Sequence, residues 1–400
     1  MNTADMFRNM RPASIATTTA LLCCLGVAAC TEGTGEQGED GGGGTSAGPG
    51  TISASTSNGG TGSIAPTSSS ASTSTGSGGS EPGTPVLIAQ GHAGRTMLSC
   101  DDGLTWVNDR SDDDTVRCEG EFDCDHHVGS GTGLVSSGGY AIMSNGWGTP
   151  GLVRRTTDGV TWDVILELDF PLASLAVGGG IVMGSTPLPQ TSSDDGGTWA
   201  DVPEIYLAPP LRSSLYIPHE GGRFVLVSQG NGFRAWLSDD LGATFHESSP
   251  IPDNCIAFSL VYGNGALVMP SMDGGACRSA DGGETWSVVS VGANLGLSTL
   301  AFAGDRFVML GEGNGGLALH TSTDGASWSS ATTNLQVGAW NAQLGRNTET
   351  GTLLVASGAY ENQRFFRSTD GLSWTEAASA TQSHPIRRFV AARLEAPACL

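Results

Sequence analysis

From Pro85 onward the chain alternates short apolar runs with turn signals. Cys255 to Tyr262 (CIAFSLVY), a Gly263-Asn264-Gly265 turn, Ala266 to Pro270, a loop, Ala276 to Ala280 and Thr285 to Ser290 form one group of four runs. Leu297 to Ala303, Arg306 to Leu310, Gly316 to Ser322 and Ala326 to Ala331 form a second group on the same plan. Short runs bounded by Gly and Asn read as β-strands. The pattern therefore predicts an all-β region assembled from four-strand units.

Inside each unit one stretch recurs. Ser279 to Trp286 reads SADGGETW, and seven copies run down the chain: SCDDGLTW from Ser99, TTDGVTW from Thr156, SSDDGGTW from Ser192, SDDLGATF from Ser238, SADGGETW itself, STDGASW from Ser322 and STDGLSW from Ser368. Every copy has a hydroxyl residue, an Asp two positions on, a Gly, then Thr or Ser and an aromatic. The Asp carboxylate can accept N–H groups of its own turn, the Gly supplies a positive φ, and the aromatic buries a large apolar face. The closing aromatics, from Trp106 to Trp374, recur about every 40–55 residues, which is the period of one supersecondary unit stacked on the next.

These residues resemble the Asp-box, or bacterial neuraminidase (BNR), repeat, in which the box joins the third and fourth strands of a propeller blade. The resemblance covers roughly Pro85 to Leu394 and implies a seven-bladed β-propeller. Blade one has room before its box only for Val86 to Gln90 and Arg95 to Ser99, so it lacks an innermost strand. Pro385 to Leu394 is left over at the other end. Pairing that segment beside Val86 to Gln90 completes the ring and removes the open sheet edge. Propellers of this kind serve as sialidases, xyloglucan hydrolases, photosystem assembly factors and sorting receptors, so the fold leaves function open.

Ahead of the propeller the composition changes twice. Arg8 and Arg11 precede an apolar run from Ala13 to Ala29, too short for a permanent membrane span and of the kind that forms a secretory signal. It ends at Val27-Ala28-Ala29-Cys30, which resembles a bacterial lipobox and implies cleavage before Cys30 and acylation of its thiol; Thr31 directs the product to the outer membrane. Residues 30–84 are dominated by Gly, Ser and Thr and have too little apolar surface to fold. As a Gly/Ser-rich coil this tether has a root-mean-square reach of roughly 40 Å. The expected organisation is thus 1–29 signal, 30–84 lipidated Cys and tether, 85–400 propeller.

Beyond the signal and Cys30 the chain keeps Cys100, Cys118, Cys124, Cys255, Cys277 and Cys399. In an exported protein six thiols suggest three disulfides with fifteen connectivities. Propeller topology implied by the resemblance selects Cys100–Cys399 at the box (bottom) face, with Cys118–Cys124 and Cys255–Cys277 at the opposite, top face. All 18 basic residues are Arg, against 40 acidic ones, and the formal net charge is −22. That balance argues against nucleic acid as a partner.

The box carboxylates Asp101, Asp158, Asp194, Asp240, Asp281, Asp324 and Asp370 form an array that is read as structural, pinning turns at the bottom rim. Function in propellers usually lies at the top face. There an insertion from Asn108 to Asp125 carries Asp112, Asp113, Asp114, Glu119, Glu121, Asp123 and Asp125, followed by His126 and His127; Trp147, Arg154 and Arg155 follow in blade two. Acidic groups, paired His and an indole suit a stacked sugar or a divalent cation, with Asp112, Asp114 and Asp125 as the Ca²⁺ candidates and no other cofactor expected. A sialidase would need an Arg-Ile-Pro motif before the first box, an Arg triad and a Tyr nucleophile, and no such context occurs here. The expected function is non-catalytic binding of a glycan or protein partner at the cell surface by a monomer, the membrane being touched only through the lipid. The alternatives are a sialidase-like glycoside hydrolase or lyase, for which Asp253, Asp273, Glu312 and Glu361 are the top-face acids, and a scaffold for envelope assembly.

Overall fold

The computed structural model describes residues 83–111, 131–146, 151–169, 171–185, 188–202, 211–228, 233–255, 259–292, 298–313, 316–335, 342–358, 363–379, 385–395 and 397–399. They form seven four-stranded antiparallel sheets, the blades of a β-propeller. A short helical turn at His92–Gly94 follows the first strand. Blade four shows the plan: Leu211–Ile217, Arg223–Ser228, Arg234–Ser238 and His246–Glu247 pair in sequence order, innermost strand first.

Blade one is built from both ends of the folded region. Ile386–Leu394 takes the innermost place beside Thr84–Gly91, followed by Thr96–Ser99 and Val107–Arg110. The register matches Val390 to Ile88 and Ala392 to Val86, with an irregularity at Gln90/Gly91. Closure by the C-terminal strand is therefore as the leftover segment predicts, and no blade is left with a bare inner edge.

Two boundaries differ from the hydrophobic pattern. Blade six has Ser329–Ala331 as its outer strand instead of Ala326 to Ala331, because the Ala326 and Ser327 N–H groups are turned onto Asp324 Oδ1 at 2.9 and 2.7 Å. Blade five has Val261–Gly263 as its first strand instead of Cys255 to Tyr262. Cys255 closes a turn onto the Pro252 carbonyl at 3.0 Å and touches Ser271 through an isolated bridge, so the apolar run starts in a turn.

The seven repeats fold alike. The Ser or Thr hydroxyl donates to the Asp at 2.7–3.0 Å. The Gly N–H donates to that hydroxyl at 2.8–2.9 Å. The Thr or Ser N–H donates back to the Asp at 2.7–3.0 Å. This geometry requires φ between +70° and +103° at the seven glycines, which only Gly adopts at little cost.

Between blades the alternation of side chains along each strand fills seven apolar clusters among the described residues, one per seam. In Thr84–Gly91, Val86 and Ile88 face blade two with Ala141, Ala392 and Leu394, while Leu87 and Ala89 face blade seven with Leu354 and Phe365. Arginines clasp three seams at the turn end: Arg155 donates to the Asp195 carbonyl (3.4 Å), Arg278 to that of Asp324 (2.7 Å) and Arg367 to that of Asp102 (3.0 Å). Each of these arginines immediately precedes a repeat and reaches the repeat of the next blade. The forked guanidinium suits that reach, which accounts for part of the all-Arg composition.

Two of the three expected disulfides are in place. Cys100–Cys399 and Cys255–Cys277 each have Cα atoms 5.9 Å apart. Cys118 and Cys124 lie outside the described residues.

Candidate functional site

The repeat carboxylates are engaged by their own turns. Asp194, Asp324 and Asp370 are each held down to about 2, above all by backbone N–H groups of Thr198, Ser327 and Ser373. They stay ionised, each accepting hydrogen bonds from its own turn. Their folded-state pKa lies below the unfolded value near 4, so the stability they confer is present above that value and is lost as pH falls toward 2. The urea midpoint is expected to be flat above about pH 5 and to fall steeply from pH 4 to pH 2; Asp324→Asn makes that fall shallower, since one fewer proton is taken up on unfolding. An unchanged slope in the variant would contradict this assignment. At the same end, a cleft of about 310 Å³ between blades six and seven is lined by Asp305, Arg306, Leu353, Thr369 and Asp370. Its charges are spent, Arg306 on Asp305 at 2.9 Å and Asp370 within its own turn.

The opposite end carries groups that are not spent. Up the seam between blades one and two, three strands change from apolar to polar at one level. On Thr84–Gly91, Val86 and Ile88 give way to Gln90; on Ile386–Leu394, read from its far end, Leu394, Ala392 and Val390 give way to Arg388; on Tyr140–Asn145, Ala141 and Met143 give way to Asn145. Gln90 and Arg388 are direct cross-strand partners and so share a face. Asn145 faces blade one, because its neighbour Ser144 turns the other way, within reach of Thr132 and blade three.

Each of these three side chains is short of partners. Gln90 is fully buried and donates through Nε2 to the Ser144 carbonyl at 3.0 Å, but its Oε1 has no partner. Asn145 is also fully buried, and both Oδ1 and Nδ2 lack partners. Arg388 makes no hydrogen bond or ion pair with any described residue. Burial pushes its guanidinium below the ordinary value, and like-charged Arg387 adds to the effect. By surface area it is partly exposed. Arg387 itself donates through Nε to His92 Nε2 at 2.7 Å, which fixes that nitrogen as unprotonated. Two adjacent guanidinium groups thus stand at this end of a chain of net charge −22.

Of the residues expected at the top rim, His126, His127, Trp147, Asp112, Asp114 and Asp125 lie outside the described residues. Arg154 pairs across from Met143 and is held by neighbouring groups. Arg155 lies over the Tyr140 ring at 4.3 Å and reaches Asp195, which places it at the turn end of blade two. Asp273 accepts from Asn254 at 2.8 Å within blade five. Among the described residues no three His, Cys, Asp or Glu side chains are grouped to hold a metal. Sequence reasoning missed Gln90 and Arg388. The signal available for the latter was an Arg387-Arg388 pair at the start of an otherwise apolar closing strand.

No protein-family model matches the chain and no curated protein is similar to it. Solved structures do share the fold. A GH74 xyloglucanase from Xanthomonas campestris aligns over 79% of this chain and 53% of its own, at 13% identity and a TM-score of 0.53. A GH74 enzyme from Niastella koreensis aligns over 73% and 55%, at 14% identity and a TM-score of 0.50. The chain thus spans about half the length of either enzyme. YCF48 bound to D1 peptide aligns over 62% of this chain at 17% identity, with a TM-score of 0.46.

Proposed function

We propose that this chain is an exported bacterial lipoprotein anchored through Cys30, that its repeat turns are Asp-boxes, and that its propeller binds a glycan or a protein partner through the top face without catalysing a reaction. The observation that supports this reading is a cluster of unused hydrogen-bonding groups at one level of one seam. At the turn end the repeat carboxylates are consumed by their own loops. At the other end three orphaned amide atoms and one unpaired guanidinium meet in a single seam. A buried polar atom without a partner costs about 1–3 kcal/mol, a cost that a binding partner or trapped solvent relieves. The chain between Arg110 and Gly131, which carries Asp112, Asp114, Asp125, His126 and His127, leaves and re-enters the fold at the same end, as does the Asn145 to Gly151 connection with Trp147. These residues complete the proposed surface, with Ca²⁺ as the cation they would suit.

The test is a glycan-array screen of the full-length protein in detergent, with calcium and with chelator, each hit being incubated and analysed for cleavage. Binding without released sugar, weakened by Trp147→Ala, is the expected result. Released sugar would replace this reading with a glycoside hydrolase.

A further inference from the structure

We infer that the seam between blades one and two is a binding site for a carboxylate that carries a neighbouring hydroxyl group, the acid seated on Arg388. The inference rests on the proposed top-face binding role and narrows its ligand.

The donors and acceptors of the seam match such a ligand. Arg388 presents guanidinium N–H groups with no carboxylate among the described residues to receive them, and Arg387 beside it adds positive charge. Asn145 Nδ2 adds a further N–H on the facing strand. Together they call for an anion with two acceptor oxygens, which a guanidinium meets with paired hydrogen bonds. The same level of the seam also holds two orphaned acceptors, Gln90 Oε1 and Asn145 Oδ1. Chloride or sulfate has no hydrogen to give them. A carboxylate flanked by a hydroxyl meets the donors and one of the two acceptors: its oxygens accept from Arg388 and Asn145 Nδ2, and its hydroxyl donates to Gln90 Oε1. The seam is also cross-linked. Gln90 is fixed by its bond to the Ser144 carbonyl, and Thr132 joins Ser144 to the Leu172 carbonyl, so the bonds run from blade one to blade three. The equivalent second strands of blades three, four and seven end on Ser185, Ser228 and Ser357, which are smaller and offer no such amide.

The experiment is isothermal titration of the full-length protein in detergent with sodium glucuronate, sodium lactate, glucose and sodium sulfate, repeated with Arg388→Gln and Asn145→Ala. Glucuronate and lactate are expected to bind, glucose and sulfate at least tenfold more weakly. Arg388→Gln should weaken glucuronate at least tenfold while leaving the melting temperature of the free protein at or above that of wild type, since an unpaired buried charge is removed. Should that variant fail to fold, Asn145→Ala carries the test, with an expected threefold or greater loss. No heat with either acid means that water alone fills the seam, and equal affinity for glucose, or undiminished binding in both variants, means that the acid is not what is read; each overturns the inference. A positive glycan array alongside a silent titration would overturn the ligand class and leave the top-face role standing.

Discussion

A chain ending at Ser383 is expected not to fold. It loses Ile386, Ala392 and Leu394, which are 0–2% exposed, and with them the inner strand of blade one. Val86 and Ile88 would be left facing water on one seam, Leu87 and Ala89 on the other. Both seams that flank the closing strand fail together, because successive residues of Thr84–Gly91 serve opposite clusters. Removing even one such side chain typically costs about 2–5 kcal/mol, and whole-domain stability is only about 5–15 kcal/mol. Circular dichroism should show no cooperative melting, and a synthetic 385–400 peptide added in trans should restore it. A truncated chain that melts like wild type would show that the ring does not depend on this closure.

The second large effect is expected from Cys399→Ala. Cys100 and Cys399 are 299 residues apart, so their bond removes far more freedom from the unfolded chain than the 22-residue loop of Cys255–Cys277. In the chain-entropy model the long loop contributes about 6 kcal/mol and the short one about 3 kcal/mol. Urea unfolding should therefore rank Cys399→Ala as more destabilising than Cys277→Ala. Reductant should bring wild type down to the level of the double variant. The reverse ranking would mean that packing around the buried Cys277, and not loop closure, sets the difference.

Much of this fold was legible because its information is local. A hydroxyl residue, an Asp and a Gly within six positions fix each turn, and seven such turns count the blades. The closing strand could be read from a deficit at one end and a surplus at the other, and the two disulfides follow once strand directions are known. The arginine clasps were not legible, since Arg155, Arg278 and Arg367 each reach a carbonyl about 40 residues or a whole ring away, and nothing adjacent to them marks the acceptor. The start of blade five was misread because a disulfide and a turn at Cys255 override an apolar run that local propensity favours.

The polar level at Gln90, Asn145 and Arg388 was hidden for a related reason. Each residue is unremarkable near the end of its own strand, and it is the ring closure that sets Arg388 directly across from Gln90, on the face toward blade two. The sequence argument looked to conspicuous clusters in the Asn108 to Asp125 insertion. The site built here is assembled from single residues on three strands, two of them from opposite ends of the folded chain. What the two lines of argument share is the end of the molecule, blades one and two on the side away from the repeat turns.

The central claim, that ligand is taken at that end and at that seam, is tested most directly by hydrogen–deuterium exchange of the full-length protein with and without its strongest glycan-array hit. Ligand is predicted to slow exchange in peptides covering Thr84–Gly91, Tyr140–Asn145 and the start of Ile386–Leu394, leaving the seven repeat turns unchanged. Protection confined to the repeat turns, or to the cleft between blades six and seven, would contradict it.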